Sequence, residues 1–274
     1  MKKNTRILAV CALTLGLSAC GNDEPVIKKT ESKKEVKIGA TTGPYADMAI
    51  EVIQPGLEDL GYKVDIVEYS NYIQPNKALA DGSIDANLFQ HKVDMDNFAQ
   101  EHALELSDII TVPTAPMGIY SKEFKSLASI TDGATFAIPA DPPNLARALH
   151  LLLDEELIEV NPEADPLTIS EMDITKNPKN IIFQPMDLPY LPRAMDSVDL
   201  SAIPGNFAIG AKMDLQNALV LEDMSDTYQN VIAVNSKNID AQFAKDIQLV
   251  VEDTEFKKVV EIKFPDFVNP EWMR

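Results

Sequence analysis

From Val36 onward, short β-rich runs alternate with longer stretches in which apolar residues recur three or four positions apart. The first run, Val36–Ala40, precedes helical periodicity over about 45–60, and Lys63–Glu68 follows as a second strand. Alternation of these two periods predicts an α/β fold. The pattern occurs in two successive blocks, and helical periodicity over about 241–262 is left at the end. We therefore expect two lobes joined by more than one crossing, with the last helices returning to the first lobe.

The N-terminus has the pattern of an export signal. Lys2, Lys3 and Arg6 precede an apolar run from Ile7 to Leu17, and small residues stand directly before Cys20. The run is too short to span a bilayer. This arrangement predicts a signal peptide over 1–19 and a lipidated Cys20, followed by a flexible tether up to residue 35, rich in polar residues. A plain secretory signal with an incidental cysteine is the alternative.

The charge of the chain excludes one class of partner. Its 274 residues include 43 Asp and Glu against 24 Lys and Arg, a net charge of −19. Removing 1–19 takes away three positive charges, so −19 − 3 gives −22. Nucleic-acid binding depends on Lys and Arg that neutralise phosphates, so no nucleic-acid partner is expected. Cys11 would leave with the signal and Cys20 would carry lipid, so the folded part would have no thiol chemistry.

A proline-rich turn that opens a helix is the most informative local motif. The run Ala137-Ile138-Pro139-Ala140-Asp141-Pro142-Pro143-Asn144-Leu145-Ala146-Arg147 leads from a strand into a helix. Unpaired N–H groups at a helix start bind anions, and an arginine nearby would add a two-pronged donor. The motif therefore predicts a carboxylate or phosphate site with Arg147. Alternatively, Arg147 pairs with an acidic neighbour in this acidic chain.

Polar residues at the ends of strands complete a candidate pocket. Phe89-Gln90-His91 follows the predicted strand Ile84–Leu88, and amides follow or precede two later strands as Asn206 and Asn230. Carboxyl ends of strands are common ligand-binding positions in α/β proteins. The chain shows no hydrolase, zinc-ligand or dinucleotide motif, so we expect no catalytic residue, no metal and no cofactor. A cationic donor with amides and aromatics suits a small zwitterion.

Longer stretches of the chain resemble a known family. The sequence is similar to the methionine-binding lipoproteins of bacterial ABC importers, the NlpA-type solute-binding proteins, over essentially all of the mature body. The stretches that carry the resemblance are Tyr72-Ile73-Gln74-Pro75-Asn76-Lys77-Ala78-Leu79, Ile84-Asp85-Ala86-Asn87-Leu88-Phe89-Gln90-His91-Lys92, Asp141-Pro142-Pro143-Asn144-Leu145-Ala146-Arg147-Ala148-Leu149, Asn177-Pro178-Lys179-Asn180 and Leu191-Pro192-Arg193.

The resemblance implies a two-lobed periplasmic-binding-protein fold of type II, which closes over a ligand in the interlobe cleft. The first lobe would comprise 36–119 and 232–274, and the second 120–231. The ligand's carboxylate would be held by residues matching Asn144 and Arg147. Its amino group would be held by amides matching Asn206 and Asn230. The side chain would lie among residues matching Tyr69, Tyr72, Phe89 and His91.

Two positions depart from the family's pattern. The family usually continues its His-Lys with Pro-Tyr, whereas this chain has Val93 and Asp94. Ala146 stands where glycine is common. An aromatic that can line the side-chain end of the pocket is thus replaced by an acid. A charged Asp94 inside the pocket would need a cation, so we expect it either to meet one or to face solvent.

The leading hypothesis is a lipid-anchored protein, exported and held at a bacterial cell membrane through Cys20. It would deliver an amino acid, with methionine first among the candidates, to an ABC permease and its ATPase. Another amino acid or a methionine peptide is the alternative ligand. Two further alternatives are an exported hydrolase with His91 as its base, and a surface adhesin or sensor.

Overall fold

The computed structural model describes residues 35–274. The predicted signal peptide and the lipidated Cys20 lie outside the described residues, and so does nearly all of the predicted tether. Its last residue, Glu35, is described and begins the first strand, where it pairs with Lys63. Within 35–274, no helix is both long and apolar enough to cross a membrane.

The first sheet has five strands in the order β2-β1-β3-β12-β4. β1 lies parallel to β2 and β3, whereas β12 is antiparallel to β3 and β4. A strand from late in the chain thus lies between two early ones. The strands are β1 (Glu35–Thr41), β2 (Lys63–Tyr69), β3 (Ala86–His91), β4 (Leu106–Val112) and β12 (Asn230–Asn235).

The second sheet also has five strands, in the order β11-β5-β10-β6-β9. A two-stranded ribbon of β7 and β8, which no pattern in the sequence predicted, accompanies it. The strands are β5 (Gly118–Tyr120), β6 (Thr135–Pro139), β7 (Glu159–Val160), β8 (Ile174–Lys176), β9 (Ile182–Met186), β10 (Leu200–Ile203) and β11 (Val220–Leu221).

Helices accompany both sheets, as the alternating periodicity predicts. The predicted helix over 45–60 consists of α1, a π-helical segment (Ala49–Ile53) and α2. Gly61 follows it with φ 85°, in the left-handed region where glycine carries no steric penalty. The helices are α1 (Pro44–Met48), α2 (Gln54–Asp59), α3 (Gln74–Asp81), α4 (Lys92–His102), α5 (Pro142–Asp154), α6 (Leu191–Ala194), α7 (Gly205–Gly210), α8 (Gln242–Glu252) and α9 (Thr254–Lys263).

The two sheets have separate hydrophobic cores. Around the first sheet, Ile38 and Ile232 pack with Ile247 of α8 and Phe256 of α9, so the last helices return to the first sheet as predicted. Around the second sheet, the core includes Phe136 and Leu149. The chain crosses between the sheets twice, after β4 and after β11. The predicted lobe boundaries at 119/120 and 231/232 fall inside β5 and β12.

One strand differs from its prediction in a way that affects the site. Ile84–Leu88 was predicted as the strand, with Phe89, Gln90 and His91 after it, but all three lie inside β3. The ladder continues past a register shift between Val231 and Ile232, and His91 pairs with Asn230 of β12. Gln90 stays buried because it exchanges hydrogen bonds of 2.7 and 2.8 Å with the side chain of Asn76. The strand therefore extends three residues further toward the cleft.

Candidate functional site

A cavity of about 510 Å³ lies in a cleft between elements of the two sheets. One wall comes from α4 and from the segment that leads into α3. The opposite wall comes from the start of α5, from residues 187–190 and from α7. Pockets of a few hundred Å³ suit a small organic ligand. The cavity is therefore the place where the predicted site residues should meet.

One face of α4 points into the cavity. Asp94, Asn97, Phe98 and Glu101 all line it, at the three- and four-residue spacing that places side chains on one side of a helix. His91 caps the start of this helix, because its Nδ1 accepts the backbone N–H of Asp94 at 3.2 Å. The cap fixes the direction in which α4 leaves β3. Asp94 consequently lies at the inner end of the cavity-facing stripe.

Aromatic rings form the apolar wall of the cavity. The ring of Tyr72 lies 5.0 Å from that of Phe89 in an edge-on arrangement and 5.3 Å from that of Phe207. The hydroxyl of Tyr72 accepts a hydrogen bond of 2.9 Å from Nδ2 of Asn206. Tyr72 thus joins the first-sheet wall to α7 on the other side of the cleft.

A polar network connects α4 to the start of α5. Oδ2 of Asp94 lies 3.0 Å from Nε2 of His91, and the two carboxylate oxygens accept from Nδ2 of Asn144 at 3.3 and 3.4 Å. Nε2 of His91 is also 3.4 Å from Oδ1 of Asn144. Since Nδ1 of His91 is an acceptor, the neutral imidazole carries its proton on Nε2 and donates it into this network.

The helix start of α5 is already capped by its own chain. The carboxylate of Asp141 accepts from the backbone N–H of Asn144 at 3.1 Å and from its Nδ2 at 2.8 Å. The predicted anion site at the N–H groups of this helix start is therefore wrong in one detail, because a carboxylate of the protein occupies the Asn144 N–H. The side chains of Asn144 and Arg147 are left as the groups that could meet a ligand.

Arg147 forms a buried, two-pronged ion pair with Glu222. Its Nε donates to Oε1 at 2.8 Å and its Nη2 to Oε2 at 2.5 Å, and the side chains are 4% and 10% exposed. The alternative considered for Arg147, a pair with an acidic residue, is thus what the structure contains. A guanidinium has five N–H donors, and this pair uses two. Within residues 35–274 the structure shows no hydrogen bond from the other three.

The ring of Tyr228 links Arg147 to His91. The guanidinium carbon of Arg147 lies 5.5 Å from the ring centre, and the imidazole of His91 meets the ring edge-on at 5.2 Å. The hydroxyl of Tyr228 is buried, and within residues 35–274 it has no hydrogen-bond partner. Buried polar groups are normally paired. Among the described residues, the Tyr228 hydroxyl is an exception to this rule.

The structure brings together most of the predicted site residues. Tyr72 and Phe89 line the cavity, His91 and Asn144 share the network with Asp94, and Asn206 reaches the site through Tyr72. Asn230 lies beside His91 in the neighbouring strand, and its N–H donates to Oγ1 of Thr114 at 2.8 Å.

Six of the eight predicted ligand-binding residues, Tyr69 among them, do not line the cavity. Tyr69 packs with Leu79 and Ile84 in a hydrophobic cluster of the first sheet. Tyr69 stands at the end of β2, and its ring lies against Gly39 of the neighbouring strand. A Cβ atom built on Gly39 would lie 2.9 Å from the ring of Tyr69. The missing side chain of Gly39 therefore leaves room for the ring inside the lobe.

The partner of Arg147 was not found from the sequence. Glu222 follows β11, and no motif sets it apart from the many other acidic residues. Asp94 was noticed as a departure from a family pattern, but its partner was not foreseen. It meets His91, which burial keeps neutral, instead of solvent or a cation. Within residues 35–274 no three His, Cys, Asp or Glu side chains converge as metal ligands would.

Burial shifts the pKa values of both members of the His91 and Asp94 pair. Burial, together with the charge of Arg147, lowers the pKa of His91 from 6.5 to about 3. Burial and the neighbouring Asp141 raise the pKa of Asp94 well above its usual value. Both shifts favour the uncharged form, as expected for groups removed from water.

These shifts predict opposite pH effects for two variants. Between pH 6.5 and about 3, the folded state binds fewer protons at His91 than the unfolded state does. The free energy of unfolding therefore decreases as the pH falls through this range. At Asp94 the folded state binds more protons than the unfolded state does. The free energy of unfolding therefore decreases as the pH rises from the pKa of Asp94 in the unfolded state toward its pKa in the folded state. Between pH 7 and 5, we expect stability to fall less in His91→Gln than in the unsubstituted protein, by about 2 kcal/mol, and to fall more in Asp94→Asn.

Urea unfolding at several pH values between 7 and 5 measures both slopes. Asp96→Asn, two residues along the same helix, is the control, because Asp96 is exposed and pairs with Lys92 on the surface. Parallel pH profiles for His91→Gln and Asp94→Asn would contradict the assignment of the buried pair.

Known proteins resemble this chain along most of its length. It is 34% identical over 240 residues to Outer membrane lipoprotein 3 of Mannheimia haemolytica, covering 87% of this chain and 88% of that protein. It is 32% identical over 235 residues to D-methionine-binding lipoprotein MetQ of Salmonella typhi, covering 85% and 84% of the two chains. A nutrient-binding protein from Burkholderia cenocepacia, solved bound to methionine, matches with a TM-score of 0.81 at 32% identity, over 85% of this chain and 99% of that one.

The solved relative has the mixed α/β architecture described above, which confirms the predicted fold class. The model of the NlpA lipoprotein family matches residues 36–272, which is nearly all of the described chain. The resemblance read from the sequence is thereby confirmed, and the chain belongs to the NlpA lipoprotein family.

Proposed function

We propose that this chain is a lipid-anchored solute-binding protein that captures methionine in the cleft and delivers it to an ABC permease and its ATPase. The observation that carries the proposal is the cleft itself. An aromatic wall lines its cavity, and a buried arginine and three buried amides lie on the elements around it, in a chain related to proteins named for methionine binding. Cys20 would carry the lipid, and the lobes 36–119 with 232–274 and 120–231 would close over the ligand.

The carboxylate of the amino acid would bind at Arg147. Glu222 occupies one edge of the guanidinium, and the remaining N–H groups can donate to a second carboxylate. Asn144 and the unpaired hydroxyl of Tyr228 are the neighbouring groups that would share it. Asn206 and Asn230 would hold the amino end. The thioether chain would lie along Tyr72 and Phe89, since sulfur packs favourably against aromatic rings.

The proposal includes binding and release without chemical conversion. The enzyme alternative needs His91 as a general base, and a base works best with a pKa near the working pH. Burial instead holds the pKa of His91 at about 3. Its imidazole is also occupied at both nitrogens, by the N–H of Asp94 and by the polar network. These contacts support a structural role for His91 in the cleft.

Isothermal titration of L-methionine and D-methionine into the purified lipoprotein in detergent tests the proposal. The protein is first unfolded and refolded so that any copurified ligand is removed. We expect binding of one ligand per chain, and we expect Arg147→Lys to weaken it about tenfold to a hundredfold, since lysine keeps the charge but loses the fork. Arg193→Lys, at an exposed arginine, is the matched control.

Three results would count against the proposal. Binding of other amino acids, but of neither L-methionine nor D-methionine, would identify a different ligand and leave the transport role in place. No binding of any amino acid or methionine dipeptide would favour an adhesin or sensor. Formation of a product from the ligand would favour the enzyme alternative.

A further inference from the structure

Residues 264–274, which we call the strap, continue from the end of α9 along the first sheet. Phe267 and Met273 of the strap are buried in the hydrophobic core around that sheet. Nε1 of Trp272 donates to the carbonyl oxygen and to Oγ1 of Thr111 in β4, at 3.0 and 3.1 Å. The strap is therefore fixed to the first sheet, while the described residues that line the cavity include none of its members.

The strap pairs with the first crossing, the segment 113–117 between β4 and β5. The N–H of Val268 donates to the carbonyl oxygen of Thr114 at 2.9 Å, and the carbonyl oxygen of Val268 accepts the N–H of Thr114 at 3.0 Å. Oγ1 of Thr114 accepts the backbone N–H of Asn230 at 2.8 Å. One buried threonine thus connects the strap to a residue whose amide would hold the amino end of the ligand.

The strap also contacts the second crossing, the segment 222–229 between β11 and β12. Nη2 of Arg274 forms an ion pair with Oδ1 of Asp226, and both side chains are about half exposed. Nε2 of Gln229, which is buried, donates to the carbonyl oxygen of Val268 at 3.3 Å. Val268 is therefore hydrogen-bonded to both crossings at once.

These contacts enclose Tyr228, whose ring belongs to the site. Asp226 precedes it by two positions and Gln229 follows it directly, and the strap holds both. The centre of the Tyr228 ring lies 5.5 Å from the guanidinium carbon of Arg147 and 5.2 Å from the centre of the His91 imidazole. The place of this ring in the site consequently depends on where the strap holds the second crossing.

Movement of the lobes would act on the same contacts. Hinge motions are absorbed by a few residues in the segments that join two lobes. Here those segments are the two crossings, and Val268 is bonded to both. A change in the angle between the crossings would therefore strain or break the contacts of the strap, and a change in the strap would alter the preferred angle.

We infer that the strap is a positioning element of the ligand site, which holds the crossings so that Tyr228 and Asn230 meet the ligand and which responds when the ligand binds. The inference rests on the proposed function and deepens it by adding a segment outside the cleft that regulates affinity. Coupling between two sites is reciprocal, so a strap that changes the affinity for the ligand must itself be changed by the ligand. Each direction of the coupling has its own measurement.

Trp272 reports the effect of the ligand on the strap. It is the single tryptophan of the 274-residue sequence, and it borders a cavity of about 490 Å³ between the strap and the second crossing. L-methionine is titrated into the refolded lipoprotein while the tryptophan is excited at wavelengths that tyrosine does not absorb. We expect the emission to change with methionine concentration and to saturate with the Kd that calorimetry gives, although Trp272 does not line the cavity of the cleft.

Arg274→Glu tests the effect of the strap on the ligand, because it sets a negative charge against Asp226. We expect it to weaken methionine binding roughly threefold to tenfold. Exchanging the two charges, in Asp226→Arg with Arg274→Glu, should restore the affinity. Lys258→Glu is the matched control, since it makes the same change of charge at an exposed lysine of α9. Urea unfolding of each variant separates a loss of stability from a loss of affinity.

The outcomes distinguish this inference from the proposed function. Constant Trp272 emission, together with methionine binding in calorimetry, would overturn the inference and leave the proposed function standing. Equal Kd values in Arg274→Glu and Lys258→Glu would also overturn it, and so would an affinity that the charge exchange does not restore. No binding of methionine in calorimetry would overturn the proposed function and the inference together.

Discussion

Replacing Arg147 by alanine is expected to lower the free energy of unfolding by about 3–5 kcal/mol, because it leaves a buried carboxylate without its partner. Glu222 is 10% exposed and accepts both prongs of the guanidinium. It also accepts the backbone N–H of Met117 at 3.0 Å, just before β5. The variant thus affects the segment where the chain crosses between the sheets.

Urea unfolding followed by circular dichroism measures this loss. Arg193→Ala removes an exposed arginine and should change stability by no more than about 0.5 kcal/mol. The double variant Arg147→Met with Glu222→Gln should recover much of the stability, because no buried charge is left and the glutamine oxygen can still accept from Met117. A single variant as stable as the unsubstituted protein would contradict the contribution of this buried ion pair to stability.

The second large effect is expected at Gly205, the first residue of α7. A Cβ atom there would lie 2.5 Å from the carbonyl oxygen of Pro116 and 2.7 Å from Cβ of Ala115. These atoms belong to the crossing between β4 and β5, and backbone cannot move aside as a flexible side chain can. We expect Gly205→Ala to destabilise the protein by about 3 kcal/mol.

Gly210 provides a matched control at the other end of the same helix. Nothing lies within 4 Å of a Cβ atom built there. Gly210→Ala should therefore be neutral or stabilising by roughly 0.5–1 kcal/mol, since alanine favours the helix. Thermal unfolding of the two variants side by side tests the prediction. Equal melting temperatures would contradict the close contact between α7 and the crossing segment.

Sequence patterns correctly predicted helix ends that depend on one or two neighbouring residues. The proline start of α5 and the glycine after α2 were found because proline suits a first helical turn and glycine a left-handed residue. The end of β3 was misplaced because its last three residues are polar or aromatic. Their burial depends on the amide of Asn76 and on β12, which is distant in the sequence.

The candidate site shows the same limit. Asn144 and Arg147 lie on one short motif, and the structure places Oδ1 of Asn144 3.4 Å from Nε2 of His91. The pairing of Arg147 with Glu222 joins residues 75 positions apart, and it depends on the whole second sheet. Tyr69 was assigned to the site by family resemblance alone. Its ring lies in the space beside Gly39 and not on the cavity. Long-range packing decided each of these outcomes.

The position of β12 constrains the order in which the molecule can assemble. The second sheet draws all its strands from one continuous stretch, from Gly118 to Leu221. The first sheet places β12 between β3 and β4, so its hydrogen-bond ladder stays open until Asn235 has been synthesised. Contacts between distant residues form slowly, because a long loop must close first. The N-terminal half would therefore wait, incompletely paired, until the last segment of the chain emerges.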